Sequence, residues 1–313
     1  MSPQASVVVA TRDRAPRLRA LLDSLAAQRD VEDFELIVAD DASGDETADV
    51  LADGVRGLVL RSVRLPERAG PGAARNTALA MARGPLVAFT DDDCVVAPGW
   101  LRALLDAHAR EPGALLQGRT EPHPAEVHRQ DAFSRSQLVT ALSPHFQTCN
   151  IAYPRELLER LGGFDEHFSH YAEDADLAWR AIEGGAGASF VPDALVHHAV
   201  HAPGALAQLA DSQRWVHAVR AFARHPGMRQ DFTHRIFWRP SHEGLLLALA
   251  GLGLARPSRG VSLALGAVYL RHLRRLHGSY GGVAVALPAH ALVDAAEVVA
   301  MARGSARYRT FVL

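Results

Sequence analysis

Leu86-Val-Ala-Phe-Thr-Asp-Asp-Asp93 is a short apolar run that ends in three consecutive carboxylates. Its first five residues, Leu86–Thr90, have the length and apolar character of a strand buried on both faces. Two similar runs, Ser6–Ala10 and Glu35–Ala39, precede it and also lead directly into polar residues. The sequence therefore predicts central strands whose carboxyl ends carry polar side chains.

Helical patterns separate these predicted strands. Leucines recur at the spacing of one helix face between Leu18 and Leu25. A second helix is expected to begin near Thr47, and a third to run from Ala73 to Arg83. This alternation of strands and helices indicates an α/β fold with a mostly parallel central sheet and helices on both faces.

The aspartates at the strand ends indicate a metal site. Because ligands bind beyond the carboxyl ends of such strands, we expect Asp13, Asp40, Asp41 and the triplet Asp91–Asp93 to converge. Adjacent carboxylates repel one another, and Mg²⁺ or Mn²⁺, which prefers carboxylate oxygens, offsets that repulsion. The alternative for the triplet is a solvated turn that caps the next helix. Asp40 and Asp41, followed by Ser43, either form an Asx turn or bind a nucleoside.

A glycine-rich segment, Gly70-Pro-Gly-Ala-Ala-Arg75-Asn76, is similar to the start of an anion-binding helix. Arg68 and Arg75 are available there for a phosphate. The segment is neither a Walker loop nor a GxGxxG fingerprint. That fingerprint should follow the first strand, where this chain has Thr11-Arg-Asp-Arg14, so a dinucleotide-binding fold is disfavoured.

Further elements are expected downstream. They are a helix from Trp100 to about Ala109, a strand near Leu115, an extended segment Phe146–Tyr153, a helix Pro154–Leu161, a helix from Glu173 to Gly184 and a strand Ser189–Val191. The helix from Glu173 to Gly184 begins with three acids, Glu173, Asp174 and Asp176. They either cap this helix or supply a general base. His197, His198 and His201 follow the last strand. The adjacent pair among them is either on the surface or supplies a metal ligand.

We divide the chain into a domain of residues 1–204 and a helical, apolar, arginine-rich extension of residues 205–313. Its apolar stretches Gly244–Ala255, Gly260–Leu270 and Gly281–Val293 hold 12, 11 and 13 residues. Each is short of the roughly 18–20 residues that span a bilayer. The extension is expected either to pack on the sheet or on a second copy in a homo-oligomer, or to rest on an anionic membrane.

Charge and cysteine content restrict the function further. The formal net charge of −2 gives no reason to expect nucleic-acid binding. The two cysteines, Cys94 and Cys149, have neither the number of a disulfide framework nor the spacing of a zinc site. The start, Met-Ser-Pro-Gln, lacks the pattern of a secretion signal. These features predict a cytoplasmic protein, either free or at the inner face of the cell membrane.

The order of the motifs resembles that of the inverting family-2 glycosyltransferases, which have a GT-A fold. The landmarks are Ser6–Thr11, Val38–Ser43, Gly70–Asn76, Phe89–Asp93, Cys149–Ala152, Gly162–Glu166, Glu173–Arg180 and Pro192–His198. No landmark falls in the C-terminal third. The resemblance implies transfer of a sugar from a nucleotide-diphosphate donor to an acceptor hydroxyl, with inversion at the anomeric carbon.

The resemblance also implies roles for residues of the donor and acceptor sites. Thr11 and Asp41 match positions that hold the donor nucleoside, and Arg75 lies near the diphosphate or the base. Asp174, the second acid of the Glu-Asp pair, matches the catalytic base. Glu173, beside it, is expected on the donor side.

For the metal, the resemblance implies ligands from the two outer acids of the triplet. Asp93 is expected to bind the Mn²⁺ or Mg²⁺ directly, and Asp91 to bind the ribose or the metal. Asp92 is expected to face away. His198 matches the histidine that can complete the metal shell, with His197 as its rival.

Two departures favour a single-transfer enzyme over a polymerase. Processive members carry Gln-x-x-Arg-Trp, whereas this chain reads Asp211-Ser-Gln-Arg214-Trp215. The long membrane helices of polysaccharide synthases are also missing. Two alternatives stay open: a nucleotidyltransferase with a GT-A-like sheet, and a catalytically inactive module that binds sugar nucleotides or a membrane surface.

Overall fold

The computed structural model describes residues 3–31, 33–168, 171–278 and 280–313, which form two compact units. The first unit holds the chain up to Arg129 together with Ser136–His201, and the second holds Gln130–Arg135 and Ala202–Leu313. The domain boundary after residue 204 stays a prediction. The initial Met-Ser, used in the prediction about secretion, lies outside the described residues.

A sheet of eight strands forms the centre of the first unit, as far as the structure describes it. The strands are β1 Ala5–Thr11, β2 Phe34–Asp40, β3 Leu60–Arg64, β4 Leu86–Thr90, β5 Cys94–Val96, β6 Leu115–Pro122, β7 Asn150–Pro154 and β8 Ala188–His198. Their order is β3-β2-β1-β4-β7-β6-β8-β5. Strands β1 to β4 pair in parallel, as do β6 and β8, whereas β7 and β5 run antiparallel to their neighbours. The prediction of an α/β fold with a mostly parallel sheet is confirmed.

Helices cover both faces of this sheet. They are α1 Ala15–Ala26, α2 Thr47–Asp53, α3 Pro71–Leu79, α4 Trp100–Arg110, α5 Arg155–Leu161, α6 Glu173–Glu183 and the 3₁₀ helix Pro124–Arg129. Alternate residues of β1 pack on opposite faces: Val7 and Val9 join the cluster of α1 and α4, and Val8 joins that of α3, α5 and α6. All three valines are fully buried, and burial of each contributes about 1.5–3 kcal/mol. The middle of β1 is therefore apolar on both faces.

Some elements differ from those expected, and β3 and α3 are two of them. Strand β3 was not predicted, because its sequence Leu-Arg-Ser-Val-Arg is polar and only partly buried at the edge of the sheet. Helix α3 ends at Leu79 rather than Arg83. The amide of Arg83 donates instead to the carboxylate of Glu35, at 2.7 Å, which turns the chain towards β4.

Strand β8 continues past the expected end at Val191 as far as His198. It therefore contains His197 and His198, which were expected to follow it. Its register against β6 shifts on the way. Gly118 pairs with Val191, but the next residue of β6, Arg119, pairs with Leu195. Residues 192–194 are therefore extra on β8 and form a bulge.

One buried amide side chain holds this bulge. Nδ2 of Asn150 donates to the carbonyl oxygens of Arg119 and Ala194, both at 2.8 Å. Oδ1 of Asn150 accepts from Nε1 of Trp100 at 2.8 Å. Since both strands at the bulge are tied to the same side chain, its geometry is fixed on each side.

The second unit is helical. Its elements are α7 Gly204–Asp211, α8 Trp215–Arg224, α9 Pro240–Gly253, α10 Gly266–His277, α11 Tyr280–Tyr308 and the 3₁₀ helices Ser212–Arg214, Pro226–Asp231 and Val261–Leu265. Asp294 of α11 accepts from Ser241 at 3.0 Å and from Tyr269 at 2.7 Å, which joins α9, α10 and α11. Glu297 pairs with His242 at 3.1 Å. Both acids are buried, so these partners offset their desolvation. Among the described residues, no helix has the length and hydropathy needed to cross a membrane.

Candidate active site

The triplet Asp91–Asp93 follows β4 and lies at the edge where β1 and β2 also end. Its three carboxylates have different partners. Asp91 pairs with Arg75, Asp92 accepts from Thr11, and both Asp92 and Asp93 pair with Arg14. Two arginines therefore balance part of the negative charge at this edge.

A cavity of about 320 Å³ opens beside the triplet, between the ends of the central strands and the start of α3. This volume lies at the lower end of the range of small-ligand sites. The residues that line it are Ala10, Thr11, Arg12, Arg14, Asp41, Arg68, Gly70, Pro71, Arg75, Asp91 and Asp92. Of the acids that were expected to converge, Asp41, Asp91 and Asp92 meet at this cavity, whereas Asp13, Asp40 and Asp93 are not among its lining residues. Its four arginines and three aspartates suit a ligand that carries both phosphate and hydroxyl groups.

Asp92 does not face away from the site, so that expectation was wrong. Its carboxylate is buried, accepts from Oγ1 of Thr11 at 2.8 Å and pairs with Arg14 at 2.9 Å. Burial raises the pKa of Asp92 to about 6 against the opposing charge of Arg14. Thr11, expected at the donor nucleoside, lines the cavity but donates its hydroxyl hydrogen to Asp92. These two residues fix the loop that follows β1.

Asp93 lies between an arginine and two histidines. Its Oδ2 accepts from Arg14 at 2.9 Å and from Nε2 of His201 at 2.8 Å. Its Oδ1 is buried, has no hydrogen-bond partner within the described ranges, and lies 3.6 Å from Nε2 of His198. Nδ1 of His198 donates to the carbonyl of Ala199 at 2.8 Å, so Nε2 of the neutral ring carries a lone pair.

Two electron-pair donors therefore face each other across this gap. A divalent cation satisfies both, since carboxylate and neutral imidazole are suitable ligands. Sγ of Cys94 lies within 4.8 Å of both ligand atoms. Burial alone would raise the pKa of Asp93, but the hydrogen bond from His201, the charge of His198 when its ring is protonated and the charge of Arg14 lower it to about 2. The residues present thus fit a metal ion with ligands from Asp93 and His198.

His197 and His198 are neighbours in β8, so their side chains point to opposite faces of the sheet. The ring of His197 lies 6.1 Å from that of His123, measured between centroids. Burial, and then the charge of His123, lower the pKa of His197. His198 instead pairs in register with Cys94, next to Asp93. The geometry therefore favours His198 over its rival.

Arg75 connects the cavity with the helix that carries the expected base. It is buried in α3, where Nη1 donates to Glu173 at 2.9 Å and Nη2 donates to Asp91 at 2.8 Å. Its guanidinium also lies 5.7 Å from the ring centroid of Phe164, a cation–π arrangement. Burial alone would lower the pKa of Arg75, but the charges of Asp91 and Glu173 raise it. Three of the residues implied for the donor site are thus in direct contact.

Asp174 lies in the first turn of α6, beside Glu173, and is half-buried. Its Oδ1 accepts from the amide of Ala175 at 2.8 Å. Burial, and then the charge of Glu173, raise the pKa of Asp174 to about 7, although Arg75 opposes this. A carboxylate with a pKa near neutrality is well suited to take a proton from a hydroxyl group. This environment is compatible with the base role expected for Asp174.

Asp41 holds the glycine-rich loop at the cavity. Its two oxygens accept from the amides of Ala69 at 2.7 Å and Gly70 at 3.0 Å. Gly70 has a φ of 93°, which glycine adopts without steric cost, and α3 begins directly after it. Asp40 instead forms the Asx turn, accepting from the amide of Ser43 at 2.8 Å. Of the two adjacent acids, Asp41 therefore shapes the cavity and Asp40 shapes the turn.

Sequence reasoning missed the roles of two residues and, besides Asp40 and Asp92, misplaced a third acid, Asp13. Arg14 was not singled out, although it follows β1 at the edge where acids were expected. His201 was noted but given no role, and its hydrogen bond to Asp93 depends on how the chain folds after β8. Asp13 was expected to converge with the triplet, but it accepts from the amide of Gly44 at 2.7 Å.

Solved structures of known proteins share this fold. The mannosyltransferase PcManGT from Pyrobaculum calidifontis, in complex with GDP-Man and Mn²⁺, matches with a TM-score of 0.61 at 27% identity, over 97% of this chain and 87% of that chain. S. aureus TarS 1–349 in complex with UDP matches with a TM-score of 0.57 at 20% identity, over 97% and 91% of the two chains. The expected GT-A fold is thereby confirmed.

Curated relatives are glycosyltransferases. The pre-mycofactocin glycosyltransferase of Mycobacterium tuberculosis is 34% identical over 208 residues, which cover 62% of this chain and 42% of that protein. The validoxylamine A glucosyltransferase of Streptomyces hygroscopicus subsp. jinggangensis is 31% identical over 216 residues, which cover 57% of this chain and 51% of that protein. The chain thus spans about half of the length of these relatives, or less.

Family comparison covers the whole candidate site. Residues 86–273 match glycosyl transferase family group 2, a range that includes Asp174 and His198. Residues 6–162 match glycosyl transferase family 2, a range that includes Asp41, Arg75 and the triplet. The range 6–162 is half of the chain and contains all residues that line the cavity. The resemblance inferred from the motifs is confirmed, and the chain belongs to glycosyl transferase family 2.

Proposed function

We propose that this chain transfers a sugar from a nucleotide-diphosphate sugar to an acceptor hydroxyl, with inversion at the anomeric carbon and one transfer per acceptor. The observation that carries the proposal is the contact series from Asp91 through Arg75 to Glu173. It joins the cavity to Asp174, the neighbouring residue, whose pKa is raised to about 7. A donor cavity and a base on the adjoining helix are the two parts that a direct displacement needs.

The cavity supports a donor that carries a diphosphate. Arg12, Arg14 and Arg68 line it, and arginines bind phosphate oxygens through charge-assisted hydrogen bonds. Asp41 lies at the same cavity and holds the loop before α3. PcManGT was solved with GDP-Man and TarS 1–349 with UDP-GlcNAc, which are donors of the proposed class.

We further propose that Asp93 and His198 hold Mn²⁺ or Mg²⁺, with Asp91 beside them. The support is the unpaired Oδ1 of Asp93, which faces the lone pair of His198. When bound, the ion neutralises the charge that develops on the leaving diphosphate. His201 and Arg14 keep Asp93 ionised and therefore ready to bind a cation.

Asp174 performs the proton transfer in this proposal. The acceptor oxygen forms a bond to the anomeric carbon while its proton moves to the carboxylate of Asp174. The bond from that carbon to the diphosphate breaks, and its electron pair leaves with the nucleoside diphosphate. Attack from the face opposite the leaving group inverts the configuration. A positioned base of this kind contributes about 10²–10⁴-fold to the rate.

A donor screen tests the proposal. UDP-, GDP- and dTDP-sugars are first scored by thermal shift in the presence of Mn²⁺. The donors that stabilise the protein are then incubated with a panel of acceptors, and nucleoside diphosphate release and product configuration are measured by chromatography and NMR. We expect nucleoside diphosphate release and an inverted product.

The other outcomes would contradict the proposal in different ways. A retained configuration would exclude Asp174 as the base of a single displacement. Pyrophosphate released from a nucleoside triphosphate would indicate a nucleotidyltransferase. Donor binding without release of nucleoside diphosphate from any donor, with or without acceptor, would indicate a binding module.

A further inference from the structure

Exposed apolar side chains of the second unit are concentrated at the turn between α9 and α10. Leu252, at the end of α9, is 63% exposed, and Val261, in the following 3₁₀ helix, is 77% exposed. More than a third of the surface is also exposed at Leu249, Leu254, Leu263, Leu265, Val268 and Leu270. We call residues 249–270 the apolar tip. A concentration of exposed apolar side chains is typical of an interaction surface.

Small residues form the contact between α9 and the segment that follows it. A Cβ at Gly251 would lie 2.5 Å from the carbonyl oxygen of Ser262, whose own Oγ donates to the carbonyl of Gly251 at 2.7 Å. At Gly244, two helical turns earlier, a Cβ would lie 3.1 Å from Cα of Tyr269. The contact between α9 and the following segment is therefore closed through glycines. Leu265 borders this contact, whereas Leu252 and Val261 of the apolar tip are mostly exposed.

The apolar tip is bordered by positive charge. Between Glu243 and Asp294 the sequence contains five arginines and neither Asp nor Glu. Four of these arginines are exposed and have no ion pair within the described part of the chain: Arg256, Arg259, Arg271 and Arg275. The first two lie within the apolar tip and the other two follow it on α10. The surface is thus both apolar and cationic.

This charge pattern distinguishes between two partners of the apolar tip, a second copy of the chain and an anionic lipid surface. A second copy that met the first through the apolar tip would bring both sets of arginines together with no acid from either tip between them. Like charges at such an interface are destabilising. An anionic lipid surface supplies the opposite charge, and its interfacial layer accepts leucine and valine side chains.

We propose that the apolar tip binds the surface of an anionic membrane. The leucines and Val261 enter the lipid interface, while Arg256 and Arg259 pair with lipid phosphates. Binding of this kind needs no helix that crosses the bilayer. The proposal is independent of the sugar-transfer chemistry, because none of these residues lines the donor cavity.

Cosedimentation of the full chain with vesicles tests this proposal. The vesicles are pure phosphatidylcholine or phosphatidylcholine mixed with phosphatidylglycerol, at low and high salt. The wild-type chain should pellet with the anionic vesicles and less so at high salt, which screens exposed charges. Arg256→Ser/Arg259→Ser should weaken partitioning about thirtyfold, since each arginine near such a surface contributes about fivefold. Leu252→Ser/Val261→Ser should weaken it at least about tenfold.

Matched variants in the first unit control for changes in solubility. Val59→Ser/Leu138→Ser replaces side chains that are 64% and 68% exposed, close to the exposure of the pair in the apolar tip. Arg29→Ser/Arg56→Ser removes two exposed arginines. Both controls should pellet like the wild-type chain, and circular dichroism should show the same helix content in all variants.

Three results would overturn the proposal. The wild-type chain could fail to pellet with anionic vesicles at low salt. The variants of the apolar tip could pellet as well as their controls. Light scattering could show a dimer that Leu252→Ser/Val261→Ser dissociates, without vesicle binding, and the apolar tip would then be an interface between copies.

Discussion

Replacing Glu173 by glutamine removes a negative charge beside Asp174 but keeps an oxygen that can accept from Arg75. Burial is the main reason that the pKa of Asp174 is raised, and the charge of Glu173 is the next. In the wild-type protein the charge of Arg75 is paired with Glu173 at 2.9 Å. Without the charge of Glu173, Arg75 stabilises the carboxylate of Asp174 more strongly. Both changes favour the ionised form, so the pKa of Asp174 should fall.

The size of the effect follows from the separation of the two acids. Successive Cα atoms lie about 3.8 Å apart, and neighbouring side chains on a helix point in different directions, so we take roughly 7 Å between the two carboxylates. At an effective dielectric constant of about 20 this corresponds to about 2 kcal/mol, or between about one and two pKa units. With a pKa of about 7, Asp174 is about one-tenth ionised at pH 6 and about nine-tenths at pH 8. A base must be ionised to act, so wild-type kcat/KM should rise about tenfold over this interval, and that of Glu173→Gln about twofold or less.

The assay measures kcat/KM for the donor from nucleoside diphosphate release, across the neutral pH range and at saturating acceptor. Glu183→Gln is the matched control, because Glu183 ends the same helix, about 15 Å further along. It should keep the wild-type profile. The reasoning is refuted if Glu173→Gln has an unchanged profile, or if the wild-type rate does not fall between pH 8 and pH 6.

Three further substitutions test the remaining assignments. Asp174→Asn should lower kcat about 10²–10⁴-fold while the donor still raises the melting temperature. In the absence of metal, Asp174→Asn should also raise the free energy of unfolding by about 1–3 kcal/mol at pH 8 and by less at pH 4. The reason is that the raised pKa of Asp174 costs stability only at a pH above the pKa of this residue in the unfolded chain. His198→Ala should weaken Mn²⁺ binding about tenfold or more in calorimetry, and His197→Ala should not; equal losses would contradict the ligand assignment. Arg14→Met should lower the free energy of unfolding in urea by about 1–3 kcal/mol, because the buried carboxylate of Asp92 loses its charged partner; an unchanged value would mean that Arg14 does not hold it.

The central elements of the first unit could be predicted because each buries an uninterrupted or periodic apolar face. Val7, Val8 and Val9 of β1 are all buried, and so are the leucines of α1. Strand β3 could not be predicted from its own sequence. Its arginines, Arg61 and Arg64, pair with Glu35 and Asp40 of β2, and those contacts arise only after the two strands have met.

The candidate site was predictable where its residues directly follow a strand, as Asp41 does, or lie in the first turn of a helix, as Asp174 does. Side-chain direction within the triplet was not. The middle carboxylate, Asp92, was expected to face away, but it faces Thr11 and shares Arg14 with Asp93. All 33 Lys and Arg residues of the chain are arginines. Nothing in the local sequence therefore distinguishes Arg14, which pairs with Asp92 and Asp93, from the other arginines.

The bulge in β8 has a consequence for the choice between the two histidines. Val191 and His198 are an odd number of residues apart, so an unbroken strand would place them on opposite faces and bring His197 round to Asp93. The extra residues 192–194 are also odd in number, and they reverse this parity. Deletion of one of these three residues should therefore exchange the faces of the sheet to which His197 and His198 point, without a change to either side chain.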